Sequence, residues 1–178
     1  MSRIDESRPF LAVSIAVLTV SDTRTHDEDR SGQTLVERIE GAGHLVADRR
    51  ILRDDVPTIQ QALRAWIEDP AIQVVVATGG TGLTGRDVTP EAFEALYDKA
   101  IPGFGELFRQ LSYAKIGTST IQSRATAGVA DGTFLFALPG SPSACRDGWD
   151  DILRWQLDNR HRPCNLVELM PRLREHKG

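Results

Sequence analysis

The stretch "VVVATGGTGLTGRDVTP", residues 74–90, decides how the chain is read. An apolar run leads straight into a literal G-x-G-x-x-G at Gly80, Gly82 and Gly85, the spelling of a dinucleotide-binding loop. The mechanics of such a loop do not fit. A dinucleotide loop joins the first strand to a helix that begins inside the motif, so that the helix N-terminus meets the pyrophosphate. Here the motif follows the third strand-like run, and the first such run ends in "VSDTR" with no glycine signature. Pro90 biases Thr89 away from helical dihedrals, which moves the next helix start to Thr89 or Pro90. No acidic residue ends a strand about 20 residues on, where the helical "GFGELFRQL" lies, and no Gly-Lys-Ser/Thr follows as in a P-loop. A hydride-transferring, NAD-dependent enzyme is therefore disfavoured.

The stretch offers a different device: a strand, a glycine-rich turn and an Arg86-Asp87 pair ahead of a helix. Glycines let the backbone approach a phosphate closely and take positive φ. Successive N–H groups in such a turn form an anion-binding nest, and a carboxylate beside it is suited to holding Mg²⁺ against a nucleotide. The plainer alternative is a tight turn in which Asp87 or Thr89 serves only as a helix cap.

Around this loop, short β-rich runs alternate with helical periodicity, which predicts an α/β domain with a mainly parallel sheet. Ser14–Val20 is apolar at nearly every position, as in a strand covered on both faces, and Ser21 and Asp22 sit at its carboxyl end. Ser31-Gly32 opens a helix with Leu35, Val36 and Ile39 on its apolar side, closed by Gly41 and Gly43. A weakly patterned strand runs near Leu45–Leu52. From Val56, the positions Ile59, Ala62, Leu63, Trp66 and Ile67 keep helical spacing until Asp69-Pro70. The loop strand is Gln73–Ala77. Phe93, Leu96, Tyr97 and Ala100 mark one later helix, and Phe104, Leu107, Phe108 and Leu111 another. "ATAGVA" and "TFLFAL" flank Asp131-Gly132, a dipeptide suited to a type I′ hairpin, so an antiparallel element joins the sheet. Ser141 and Pro142 cap the last long helix, outlined by Cys145, Trp149, Ile152 and Leu153.

Composition narrows the function classes. With 178 residues, 40% of them hydrophobic, the chain is one domain spanning 1–178, with residues from about 160 to 178 as a C-terminal tail. The net charge of −4 is interspersed, so no basic face for nucleic acid is expected. Apolar runs fall far short of the roughly 20 residues of a membrane span. The opening "MSRIDESRPF" lacks a signal-peptide core, which makes cytoplasmic residence the expectation. Cys145 and Cys164 are too few for a disulfide framework, and Cys145 reads as a buried thiol. His26, His44, His161 and His176 show no metal-ligand spacing, and Trp66, Trp149 and Trp155 read as packing or subunit contacts. The run Arg160, His161, Arg162 is either a solvated tail or a contact with a neighbouring subunit.

Four stretches taken together, "VLTVSDTR…DRSGQTL", "ATGGTGLTGRDVTPEAF", "IPGFGELFRQLS" and "LPGSPSACRDGWDDIL", resemble the MoaB/MogA-like molybdenum cofactor biosynthesis family, which shares a domain with gephyrin. They spread over residues 17–153, and the ending "LDNRHRPCNL" looks most like the MoaB branch. The resemblance implies a three-layer α/β/α fold, assembly into trimers or hexamers, and partners within the cofactor pathway. It also implies binding of molybdopterin and, in active members, its adenylylation by ATP with Mg²⁺, releasing pyrophosphate. By the same resemblance, Asp87 and Asp54 are the metal-holding, catalytic carboxylates, although Asp54 and the adjacent Asp55 could be exchanged in that role or could simply cap the Val56 helix. Thr78, Gly79, Gly80, Thr81, Gly82 and Arg86 would hold phosphate. Ser21, Asp22, Pro139, Gly140 and Ser141 would complete the pocket at the carboxyl edge of the sheet. A non-catalytic molybdopterin-binding or scaffold protein is the alternative that the MoaB-like ending raises.

Overall fold

A strand with no polar face has to lie inside a sheet covered on both sides, and that is where Ser14–Val20 lies. The computed structural model describes residues 3–177. In chain order the elements are β1 (Arg3–Ile4), β2 (Ser14–Val20), α1 (Arg30–Gly41), β3 (Leu45–Leu52), α2 (Val56–Glu68), β4 (Val74–Thr78), α3 (Thr89–Glu94), β5 (Lys99–Ala100), α4 (Pro102–Ile116), β6 (Thr126–Ala130), β7 (Thr133–Leu138), α5 (Pro142–Gly148), α6 (Arg154–Gln156) and β8 (His161–Arg162). The main sheet has the order β3-β2-β4-β7-β6-β5, parallel from β3 to β7, with β6 and β5 antiparallel. The expected three-layer α/β/α fold with a mainly parallel sheet and an antiparallel hairpin is the one observed.

Strand alternation divides the core in two. Ile15, Val17, Val74, Val76, Phe134 and Phe136 face one helical layer, where Leu35, Ile39, Phe104, Phe108 and Trp149 meet them. Ala16, Leu18, Val75, Ala77 and Leu135 face the other, built from Ile59, Leu63, Trp66 and Phe93. Each fully buried Leu, Ile, Val or Phe contributes roughly 1.5–3 kcal/mol. A surface ion pair contributes only ~0–1 kcal/mol, so the two apolar layers hold the sheet. The hairpin turn has Asp131 at φ 44° and Gly132 at φ 85°, the left-handed pair that a type I′ turn requires.

Several local expectations shift. β3 is the edge strand, and its Asp48, Arg49 and Arg50 explain the weak apolar pattern, since charges protect an open edge. The cap of α1 is Asp29 rather than Ser31; its carboxylate accepts from Gly32 N (2.9 Å), Thr19 Oγ1 (2.7 Å) and Arg49 (3.0 Å). Burial opposes the charge on Asp29, but those three donors hold its carboxyl below the ordinary range. The helix expected to reach Ala100 ends at Glu94, because Lys99 and Ala100 form β5 on the β6 edge. The last helix is continuous from Pro142 to Gln156 only through a π turn at Trp149–Leu153. Residues 160–162 are not a free, solvated tail. His161 and Arg162 pair with β1, Arg162 bridges Asp5 and Glu168, and Leu166, Val167, Met170 and Leu173 pack back on the core.

His44 is buried between Phe10 and Trp149, and its Nδ1 accepts from Val13 N (3.1 Å), an arrangement that needs the neutral ring. Burial lowers its pKa from 6.5, with the Asp158 charge opposing only in part. The unfolded chain therefore binds a proton that the folded chain excludes. Stability is full above pH 6.5 and declines as the pH falls below it. Calorimetric midpoints measured from about pH 7.5 down to about pH 5 should fall, and the slope should flatten in His44→Gln.

Candidate functional site

In an open parallel sheet, ligands sit beyond the carboxyl ends of the strands where the strand order reverses. Here the chain moves outward from β2 to β3 and then crosses to β4 on the other side of β2, so the switch point lies between β2 and β4. Ser21 and Asp22 follow β2, Asp54 follows β3, Gly79–Gly82 follow β4, and Pro139, Gly140 and Ser141 follow β7. All of the expected site segments therefore converge on one edge. A cavity of about 390 Å³ opens beside them, lined by Gly80–Gly82 and Asp87 on one wall and by Ser112, Ser123 and Ser141 on others.

The glycine loop is tightly bent. Gly79 and Gly80 take φ of +99° and +66°, which L side chains rarely adopt. Thr89 closes the loop from the far side: its N–H donates to Gly80 O (3.0 Å) and its buried hydroxyl to Gly79 O (2.8 Å). The helix after the loop starts at Thr89, outside the glycine motif, so the geometry of a dinucleotide fingerprint is missing. Thr78 is fully buried and braces the loop from behind by donating to Pro139 O (2.9 Å). Gly79 N–H is used by Leu138 O (3.0 Å). Among the described residues the N–H groups of Gly80, Thr81, Gly140 and Ser141 have no internal acceptor, the arrangement found in anion-binding nests. Ser141 itself caps α5, its Oγ accepting from Ala144 N (3.1 Å).

Three aspartates border the loop in three different states. Asp22 is gripped by Arg86, which donates through Nε (2.9 Å) and a terminal nitrogen (2.8 Å), and that contact holds its carboxyl low. Asp22 also accepts from Asp54 N (3.2 Å). Asp87 is turned back into its own loop, where it accepts from Thr84 N (2.8 Å) and Thr84 Oγ1 (2.7 Å). Burial works against its charge, but the Thr84 and Gly82 donors outweigh that and keep it ionised below the usual carboxylate range. Asp54 is the exception. Its carboxylate sits within 2.7 Å of where a Cβ on Gly80 would lie, and its own backbone N–H is the one donor that favours its charge. Desolvation first, then the charges of Asp22 and Asp87, push its carboxyl up.

The neighbouring aspartates take different positions. Asp55 caps α2, accepting from Thr58 N (3.0 Å), whereas Asp54 faces the glycine loop. Two carboxylates and substrate phosphates are a common way to bind Mg²⁺. Among the described residues, no three His, Cys, Asp or Glu side chains form a metal-holding group by themselves. Cys145 is buried and its thiol is pushed up to about 11, chiefly by desolvation, which fits packing rather than nucleophilic attack. Two arginines escaped sequence reasoning. Arg24 donates to Gly140 O (2.9 Å) and Ser31 Oγ (2.6 Å), and Arg124 donates to the loop carbonyls. Neither lies in a motif whose spacing announces such a role.

Comparison with known proteins follows the same outline. Residues 16–159 match the family model of a probable molybdopterin binding domain. The chain is 50% identical over 160 residues to molybdenum cofactor biosynthesis protein B of Escherichia coli K12, covering 90% of this chain and 94% of that one. Its fold superposes on a crystal structure of a molybdenum cofactor biosynthesis protein B with TM-score 0.84 and 40% identity, covering 96% and 100% of the two chains. A tungsten cofactor synthesizing protein MoaB from Pyrococcus furiosus gives TM-score 0.72 and 37% identity over 80% and 91%. No helix among the described residues is long and apolar enough to cross a membrane.

The two aspartates should part company in stability. Asp55→Ala removes a helix cap and should lower the thermal midpoint. Asp54→Asn removes a destabilised charge and should leave the midpoint unchanged or raise it, as read by denaturant or thermal unfolding of the pair at pH 7.

Proposed function

The chain belongs to the family of molybdopterin-binding domains, and from that premise we propose that it acts in molybdenum cofactor biosynthesis, binding molybdopterin and adenylylating it with Mg-ATP. The observation that carries this reading is the meeting of Asp54 and Asp87 at a loop whose Gly80 and Thr81 N–H groups are left without internal acceptors. A phosphate oxygen of molybdopterin would attack the α-phosphorus of ATP, the bond from that phosphorus to the bridging oxygen would break, and pyrophosphate would leave. Such a transfer asks the protein for alignment and charge neutralisation rather than for a covalent intermediate.

The residues divide that work. Gly80, Thr81, Gly140 and Ser141 supply N–H donors for phosphate oxygens, and the N-terminus of α5 at Ser141 adds its dipole. Asp54 and Asp87 would hold Mg²⁺, which supplies positive charge between the carboxylates and the triphosphate. The elevated Asp54 carboxyl fits this role, since a cation relieves the repulsion from Asp22 and Asp87. Arg86 stands on the exposed side of the loop and exchanges Asp22 for phosphate when a ligand enters.

A second reading, a non-catalytic molybdopterin binder, is favoured by that same Arg86–Asp22 pair, because it occupies the guanidinium in the free protein. Incubation with molybdopterin, Mg²⁺ and ATP separates the two. The enzyme reading expects molybdopterin-dependent pyrophosphate release that falls by ~10²–10³ in Asp87→Ala, the usual cost of removing one preorganised electrostatic partner. Binding of molybdopterin without pyrophosphate, from either protein, supports the second reading and retires the first.

Self-association into a trimer or hexamer is part of the proposal. Leu107, Tyr113, Ile116 and Ile121 are large apolar side chains exposed on α4 and the turn after it, surface that burial between copies would cover. Light scattering should return three or six times the 19.6 kDa chain mass; a 19.6 kDa particle would end this part of the proposal.

A further inference from the structure

Arg124 enters just before β6, 42 residues beyond Gly82, yet it is tied to the glycine loop at three points and to the helix after it at a fourth. Its backbone N–H donates to Thr81 O (3.0 Å). Its Nε donates to Gly82 O (2.8 Å), and a terminal nitrogen donates to Asp87 O (2.9 Å). The other terminal nitrogen donates to Glu91 Oε1 (2.5 Å) in the first turn of α3, and the first reaches Glu91 Oε2 as well (3.4 Å). A guanidinium has five N–H donors, and four are engaged here inside the protein. Arg124 is thereby unsuited to grip a phosphate, whatever its nearness to the cavity.

These bonds fix both ends of the turn from Gly82 to Asp87. Asp87 N donates to Thr84 O (3.0 Å), and apart from the exposed Arg86–Asp22 pair the turn is otherwise closed by its own short-range bonds from Thr84 to the Asp87 carboxylate, which are also exposed. We propose that Arg124 is a positioning residue: it clamps the Gly82 and Asp87 carbonyls so that the Asp87 carboxylate is presented beside the Gly80–Gly82 cradle, while Glu91 holds the guanidinium in place. The proposal rests on the reading of Asp87 as the functional carboxylate of this site. A lysine in its place has one compact charge and cannot span two carbonyls and a carboxylate in one plane. The charged groups that face Asp87 are Arg124, which favours its ionised form, and Asp54 and Glu91, which oppose it.

The test compares full-length wild type with Arg124→Lys and Glu91→Gln by three measurements. Carboxyl-carbon NMR follows the titration of Asp87, hydrogen exchange follows the Thr84 and Asp87 amides, and pyrophosphate release is recorded against pH. In Arg124→Lys the Asp87 titration should move to higher pH, and the two amides should exchange on the order of tenfold faster while β2 and β4 stay protected. The acid limb of any turnover should move to higher pH with it. If Asp87 titrates as in wild type and the loop amides stay protected, the proposal is overturned. Should exchange rise throughout Arg124→Lys, Glu91→Gln decides, because it leaves the carbonyl bonds possible and only loosens their donor. A smaller shift of the same kind then supports the proposal, and none overturns it. Absence of turnover in wild type would end the adenylylation reading alone, since titration and exchange still judge the clamp.

Discussion

The carbonyl of Val20 leaves no room for a side chain at residue 79. A Cβ there would stand 2.2 Å from the Val20 oxygen, and the residue also sits at φ +99°. Both facts follow from β2 and β4 being parallel neighbours whose ends, Val20 and Thr78, emerge side by side. The chain leaving β4 must therefore turn on glycine, and it turns toward β7, where a Cβ on Gly140 would lie 3.1 Å from Gly79 Cα. Once that bend is set, Thr89 can close it, α3 can begin only after it, and the loop amides are left facing the crevice. The site is a consequence of how closely three strand ends approach.

Charge is the second constraint. Asp22 is matched by Arg86, and Asp87 by its own loop donors and by Arg124. Asp54 faces desolvation and the like charges of Asp22 and Asp87, offset only in part by the Arg86 charge and its own N–H, which leaves one poorly compensated negative charge beside the glycine loop. Such an arrangement costs stability in the free protein and, under the proposed function, would be relieved when a cation and a polyanion bind together.

How much of this was legible beforehand depended on whether the cause was local. Ser14–Val20, the Val56 helix and the Asp131-Gly132 hairpin were readable because alternation, helical spacing and turn chemistry are written in adjacent residues. The break at Thr89-Pro90 was readable for the same reason, and it sufficed to reject the dinucleotide spelling. The end of the helix at Glu94 was not, because β6 captures Lys99 and Ala100 from 30 and 28 residues away. The tail was not either, since its partners are β1, Asp5 and Arg8 at the other end of the chain.

Sequence by itself determined the fold class, the glycine turn and the residue types gathered at it, because strand period, positive-φ demand and proline restriction act over a few residues. Only the tertiary structure decided which of Asp54 and Asp55 faces the loop and which caps a helix, since both satisfy the same local pattern. It also decided that Arg86 rests on Asp22 while Arg124 holds the turn. Those roles depend on pairings across 37 to 64 residues of chain, and no local propensity records which side chains a sheet will bring together.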